Sequence, residues 1–100
     1  MITIIYAYSL KKDTDVEEFK KWSVEEDQKT VRSFKSVESF EVNLIKGLEQ
    51  NFNVFEVIKV DSWERWREIN NLPEMKKLKP KFKEFVDKSS VVKFYGEKIE

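Results

Sequence analysis

The sequence predicts a small α+β domain of the ferredoxin-like type, β-α-β-β-α-β, with a four-stranded antiparallel sheet and its helices on one face. Three observations predict it. β-branched and aromatic stretches alternate with amphipathic ones in that order along 100 residues. A glycine-led loop separates the two middle strands, and no linker, repeat or second composition block interrupts the chain. The whole span 1–100 reads as one domain, with a thin core that buries roughly two-thirds of the unfolded surface.

Residues 2–10 are β-branched and aromatic, with Ile4, Tyr6 and Tyr8 on one face and Ile5 and Ala7 on the other. Both faces are largely apolar, which suits a central strand. Lys11, Lys12 and Asp13 turn the chain. Thr14 to Glu17 then reads as a capping box, the Thr14 hydroxyl accepting the third helical amide and Glu17 reaching back. Val16, Phe19 and Ser23, flanked by Trp22, begin a helical stripe that runs to about Lys29. Its inner face turns polar at Ser23, Glu26 and Asp27. Such a helix either leaves the core or lines something, and leaving the core is the simpler expectation. Residues 30–35 read as a short irregular turn.

Residues 37–46 alternate, Phe40, Val42 and Leu44 against Ser39, Glu41 and Asn43. Gly47, Leu48, Glu49, Gln50 and Asn51 supply a hairpin loop, and residues 52–60 form the return strand. Phe-Glu-Val occurs at both 40–42 and 55–57. Pairing Val42 with Phe55 and Phe40 with Val57 makes the apolar faces coincide and sets Glu41 opposite Glu56. Asp61 and Ser62 are candidate N-caps before Trp63, Trp66 and Ile69, which follow at helical spacing and read as packing. Pro73 breaks that helix, because the residue before proline avoids the α region. Met75, Leu78, Phe82, Phe85 and Val86 continue the stripe, with Pro80 opening a further segment, so two or three short helical pieces are expected. Residues 91–95 form the last strand, with 96–100 as an extension.

Two helices cover only one face of such a sheet. The other is expected to carry residues among Ile4, Tyr6, Tyr8, Ile45, Val54 and Ile58, interrupted by Glu41, Asn43 and Glu56. A two-fold, sheet-to-sheet homodimer is the simplest way to cover that patch, and it leaves a cavity between sheet and helices in each subunit.

Composition narrows the function classes. Lys plus Arg and Asp plus Glu number 19 each, so the chain has no net positive field to attract nucleic acid. The five lysines in 76–83 read as a solvated helix face. There is no cysteine and no histidine, which removes disulfides, thiolates, zinc-finger spacing and the commonest general base. No basic leader or apolar run of membrane length appears, so a cytoplasmic protein without a membrane partner is expected. With only two glycines, cradling of a nucleotide by backbone amides is not expected, and with no metal-ligand cluster neither cofactor nor metal is expected.

Three constellations can carry chemistry. Glu41 facing Glu56 in a partly dry cavity makes an acid–base pair, since both cannot ionise cheaply; the structural alternative pairs each with a cation across the dimer. Trp22, Asp27 and Arg32 at the end of the first helix offer a flat wall, a base and an anion contact, or else a helix-end ion pair. Tyr6 and Tyr8 are amphipathic cavity liners, or ordinary core tyrosines, and Asn43 joins them as a ligand contact.

Trp22, the run Asp27-Gln28-Lys29-Thr30-Val31-Arg32 and the run Ser36-Val37-Glu38-Ser39-Phe40-Glu41-Val42 resemble the REDY-like (HapK-type) proteins. These are small members of the dimeric α/β-barrel superfamily, noticed beside prodigiosin-type pigment biosynthesis. Phe55-Glu56-Val57-Ile58 and Leu72-Pro73-Glu74-Met75 fall where that pattern places a third strand and a helix restart. Lys29 stands where a turn-former is expected. The resemblance implies a ferredoxin-like fold, a homodimer and a tailoring or ligand-binding role in small-molecule metabolism, but carries over no catalytic residue. Haem-degrading relatives use an axial histidine that this chain lacks. The leading expectation is a homodimer binding a small, partly apolar metabolite, with cofactor-independent tailoring chemistry. The alternative is a non-catalytic dimerisation module with a filled cavity.

Overall fold

The computed structural model describes residues 1–48 and 51–100. The β-branched and aromatic stretches become strands β1 (Ile2–Leu10), β2 (Val37–Leu44), β3 (Val54–Val60) and β4 (Val86–Gly96). They form one antiparallel sheet in the order β2-β3-β1-β4, so β1 is an inner strand, as its two-sided apolarity predicts. The helical layer begins with α1 (Val16–Trp22), continues through a π-helical stretch at Ser23–Gln28 and ends its first run in α2 (Lys29–Arg32). α3 (Trp63–Asn70), α4 (Pro73–Lys76) and α5 (Lys79–Phe85) follow β3. This is the ferredoxin-like α+β arrangement. Leu72 is extended ahead of Pro73, and Pro80 sits in the first turn of α5, so the prolines divide this region into three short helices as expected.

The register of the hairpin differs from the expected one by one residue. Phe40 faces Ile58, Val42 faces Glu56 and Glu41 faces Val57. The reason lies in β3. Val54, Ile58 and Val60 are each 0% exposed, and a one-residue slip would expel them and bury Lys59 instead. An irregularity between Val37 and Ser39 lets Val37 and Phe40 both reach the core despite their odd spacing.

This register also reverses the expected faces. Ile4, Tyr6, Tyr8, Val54, Glu56 and Ile58 share the face that the helices cover. The open face carries Ile5, Ala7, Phe55, Val57, Val92 and Phe94, with Glu41 and Asn43 beside them. Glu49 and Gln50 of the expected hairpin loop lie outside the described residues.

Local details differ where a second partner outcompetes the nearest one. Asp15, not Thr14, caps α1: its Oδ1 accepts from Glu17 N at 3.0 Å and Glu18 N at 3.3 Å. Thr14 Oγ1 donates instead to Phe85 O at 3.0 Å, tying the start of α1 to the end of α5. The first helical run continues to Arg32 rather than turning at residue 30. Val86 opens β4 opposite Leu10 instead of closing a helix. β4 then bulges, since Asp87 faces Ser9 while Val92 faces Ala7. Asp87 Oδ1 accepts from Ser89 N and Oγ, and Ser90 Oγ donates to Asp87 O and accepts from Ser9 N, at 2.6–3.1 Å.

The core lies between sheet and helices and is strongly aromatic. Phe19 meets Phe85 edge-on at 5.6 Å between ring centroids, and Tyr8 meets Phe82 at 5.3 Å. Replacing Phe19, 2% exposed, by alanine is expected to cost about 3–5 kcal/mol in urea denaturation. Val24→Ala, at a side chain 62% exposed, should stay within about 0.5 kcal/mol of wild type.

Candidate functional site

The described cavity with the most enclosed walls has a volume of about 200 Å³ and lies between the sheet and the helical layer. Every element of the first helical run contributes. Trp22 ends α1, Asp27 sits in the π-helical stretch and Val31 lies in α2. In an α-helix, positions five apart diverge by about 140°. The wider i→i+5 winding brings them close to one line, so Trp22 and Asp27 open into the same space. The same winding explains why Gln28 Nε2 reaches back five residues to Ser23 Oγ at 3.0 Å, with Ser23 only 2% exposed. The polar turn of this helix therefore lines a cavity rather than leaving the core.

The sheet supplies the floor: Tyr6 of β1, Phe40 of β2 and Glu56 of β3. Glu56 is 7% exposed, and its Oε2 accepts a short hydrogen bond from the Tyr8 hydroxyl. Across the cavity, Trp66 Nε1 donates to Tyr6 Oη at 2.9 Å, and Asn70 Nδ2 donates to Trp66 O at 2.8 Å. Met75, Leu78 and Phe82 close the apolar side, and Lys79 stands exposed at its edge.

Burial dominates the electrostatics. It raises the Asp27 carboxyl to about 7. Burial and then the charge of Asp27 raise Glu56 to about 8, against the Tyr8 hydrogen bond that favours its ionised form. Burial also raises both tyrosines, Tyr8 well above its ordinary value with Glu56 adding to the effect. Near neutral pH the pair accordingly does not ionise fully, so the site can offer both a carboxyl that donates a proton and a carboxylate that accepts one.

The structure brings Tyr6, Trp22, Asp27 and Glu56 to one cavity, with Tyr8 behind Glu56. It separates the expected Glu41–Glu56 pair, because Glu41 is exposed on the open face opposite Val57. Asn43 lies on that open face too. Arg32 is exposed and clamps the chain: its Nε and Nη2 donate to Phe40 O at 3.0 and 2.7 Å, joining α2 to β2. Glu56's nearest acidic counterpart across the cavity is thus Asp27, a long-range pairing invisible to strand periodicity. Trp66 reads as packing from its stripe, yet its ring nitrogen holds Tyr6; Asn70, four residues on, could have been placed beside it by helical spacing. Among the described residues no group of three or more His, Cys, Asp or Glu could hold a metal ion.

Residues 2–99 match the family described as REDY-like protein HapK. This chain belongs to that family. HapK from Hahella chejuensis shares its fold at a TM-score of 0.85 and 22% identity, covering 99% of this chain and 93% of that one. A dimeric ferredoxin-like protein of unknown function from Thermobifida fusca matches at 0.77 and 11%, covering 95% and 88%. SnoaB, a cofactor-independent oxygenase from Streptomyces nogalater, matches at 0.76 and 5%, covering 99% and 93%. At these identities the likeness is one of fold. No curated protein matches the chain. Within this HapK-family chain, the stretch that carries the resemblance divides its labour: Trp22 and Asp27 face the cavity, while Arg32 fastens the helix to the sheet. No helix among the described residues is long and apolar enough to cross a membrane.

Both carboxyls bind protons more tightly folded than unfolded. Their contribution to stability is complete below the unfolded carboxyl range near pH ~4 and is lost as pH rises through about 7 to 8. Thermal melts should therefore show a fall in Tm between ~pH 5 and ~pH 9 that Asp27→Asn and Glu56→Gln each flatten. Tyr6→Phe leaves the Trp66 ring nitrogen without its acceptor at a residue 4% exposed, and should cost about 1–3 kcal/mol in denaturant titration.

Proposed function

We propose that this chain is a homodimeric protein that binds a small, partly apolar metabolite in the Trp22–Trp66 cavity and moves a proton on it without a cofactor. One observation carries this reading: two carboxyls with raised proton affinity open into a single apolar-walled space. The ionised carboxyl takes a proton from an acidic position of the ligand. The protonated one delivers a proton to the oxygen or carbon where charge develops, and the pair is restored when the product exchanges protons with water. Tyr6, held by Trp66, orients the ligand. A cavity of about 200 Å³ weighs against the alternative of a packed structural module. The fold is shared with a protein described as a cofactor-independent oxygenase, which is consistent with a cofactor-free reaction on this scaffold.

The homodimer is supported by the open face and by neighbours described as dimeric. Phe55, Val92 and Phe94 are 37%, 44% and 59% exposed, and they stand around Ile5, Ala7 and Val57 as one apolar patch on a sheet without helices on that side.

Native mass spectrometry on freshly purified protein, extended by a panel of small aromatic metabolites, tests the reading. The expected species is a dimer that takes up small molecules, an uptake abolished by filling the cavity with Val31→Trp. Uptake that survives Val31→Trp would place binding elsewhere. Once a substrate is identified, Asp27→Asn and Glu56→Gln should each lower turnover by about 10²–10⁴-fold with the dimer intact. On the assembly, Phe94→Glu should shift the sedimentation coefficient to that of a monomer.

A further inference from the structure

We propose that the occupant of the cavity is a small aromatic monocation, a protonated amine or amidine carried on a single ring. The inference rests on the cavity being the ligand site and adds the charge and shape of the ligand. Its first support is a deficit of positive charge. Asp27 has no hydrogen-bond partner among the described residues. Glu56 gives Oε2 to Tyr8, while its Oε1 has no protein partner and is not sealed from the cavity space. The ion pairs among the described residues, Lys20–Glu17, Arg65–Glu68 and Lys81–Glu84, are exposed pairs within single helices and reach neither carboxyl. A buried carboxylate lacking a cation is costly, and a cationic ligand removes that cost.

The walls point the same way. Trp22, Phe40, Trp66 and Phe82 surround the carboxyls, and aromatic faces attract organic cations more strongly once water is excluded. The volume suits one ring with a short polar head, since a cavity of about 150 Å³ is enough for benzene. With Asn70 Nδ2 given to the Trp66 carbonyl, its Oδ1 remains to accept a hydrogen bond from that head.

The charge count sets one positive charge as the match. Each element packed around the site contributes as follows. β1 brings Tyr6 and Tyr8, which burial keeps neutral. β3 brings Glu56, and the π-helical stretch brings Asp27. α5 brings Lys79, exposed at the edge, and β4 brings Lys93, opposite Tyr6 and exposed. α1, α2 and β2 bring the uncharged Trp22, Val31 and Phe40, while Arg32 of α2 is exposed and donates to the Phe40 carbonyl. α3 and α4 line the cavity only with the uncharged Trp66, Asn70 and Met75. Burial opposes ionisation of both carboxyls together, so a single positive charge, rather than two, is the match.

Three probes of one shape and different charge test this: benzamidinium, benzamide and benzoate, titrated calorimetrically into the full-length protein. Benzamidinium should bind at least tenfold more tightly than benzamide, and benzoate more weakly than either. Benzamidinium affinity should rise from pH ~6 to ~8 and then level, with proton release seen in buffers of different ionisation enthalpy, because a bound cation favours the ionised pair. Asp27→Asn and Glu56→Gln should keep benzamide binding and abolish the preference for benzamidinium, with circular dichroism melts showing that both variants fold. Equal binding of benzamide and benzamidinium, or preference for benzoate, overturns the cation and leaves the proposed binding cavity standing. No binding by any of the three overturns both.

Discussion

Everything in this molecule turns on which side of β3 faces the helices. Successive side chains of a strand point to opposite faces, so seating Val54, Ile58 and Val60 in the core also seats Glu56 there. That carboxyl is the one charged group on the buried side of the strand, and it arrives without choice once its neighbours are placed. The Tyr8 hydroxyl meets one of its oxygens, and a cavity meets the rest. An acid that folding alone would exclude is retained at the centre of the sheet. A buried carboxyl of raised proton affinity opening into a cavity is a candidate functional position.

The first helical run answers the same constraint from above. A regular α-helix through residues 16–32 could not aim both Trp22 and Asp27 at one point five residues apart in the chain. The π-helical stretch does so, at the expense of a less favourable winding that the half-buried Ser23–Gln28 bond helps to hold. Local winding, strand parity and a partly empty core thus converge on one small volume. Around it, Trp66 and Phe82 both pack the interior and form the site's walls, so packing and site cannot be assigned to separate residues.

Much of this architecture was legible in the chain. Element order, the inner position of β1, the breaks at Pro73 and Pro80, and the polar turn at Ser23 and Asp27 all follow from periodicity and backbone chemistry. The hairpin register was not, because Phe-Glu-Val repeats in both arms and each face of β3 holds one charge, Glu56 or Lys59. Only the combined burial of Val54, Ile58 and Val60 decides between them. That single residue of slip separated Glu41 from the site and left Asp27 as the partner carboxyl. Arg32 was misread for a related reason: its acceptor, the Phe40 carbonyl, is a backbone group that no side-chain pattern reveals. The π-helical winding was equally hidden, since it depends on what the helix packs against.

The strand order carries a kinetic consequence. β1 is made first during synthesis, yet both of its edges are completed by strands that come much later, β3 and then β4. The first closure joins residues 46–58 apart in the chain and the second residues 76–93 apart, which slows the search for the native arrangement. Until residues 86–96 have left the ribosome, one hydrogen-bonding edge of an apolar strand stands bare, open to mispairing with other nascent chains. The interval between making β1 and closing it is therefore the period in which the emerging chain is most open to mispairing.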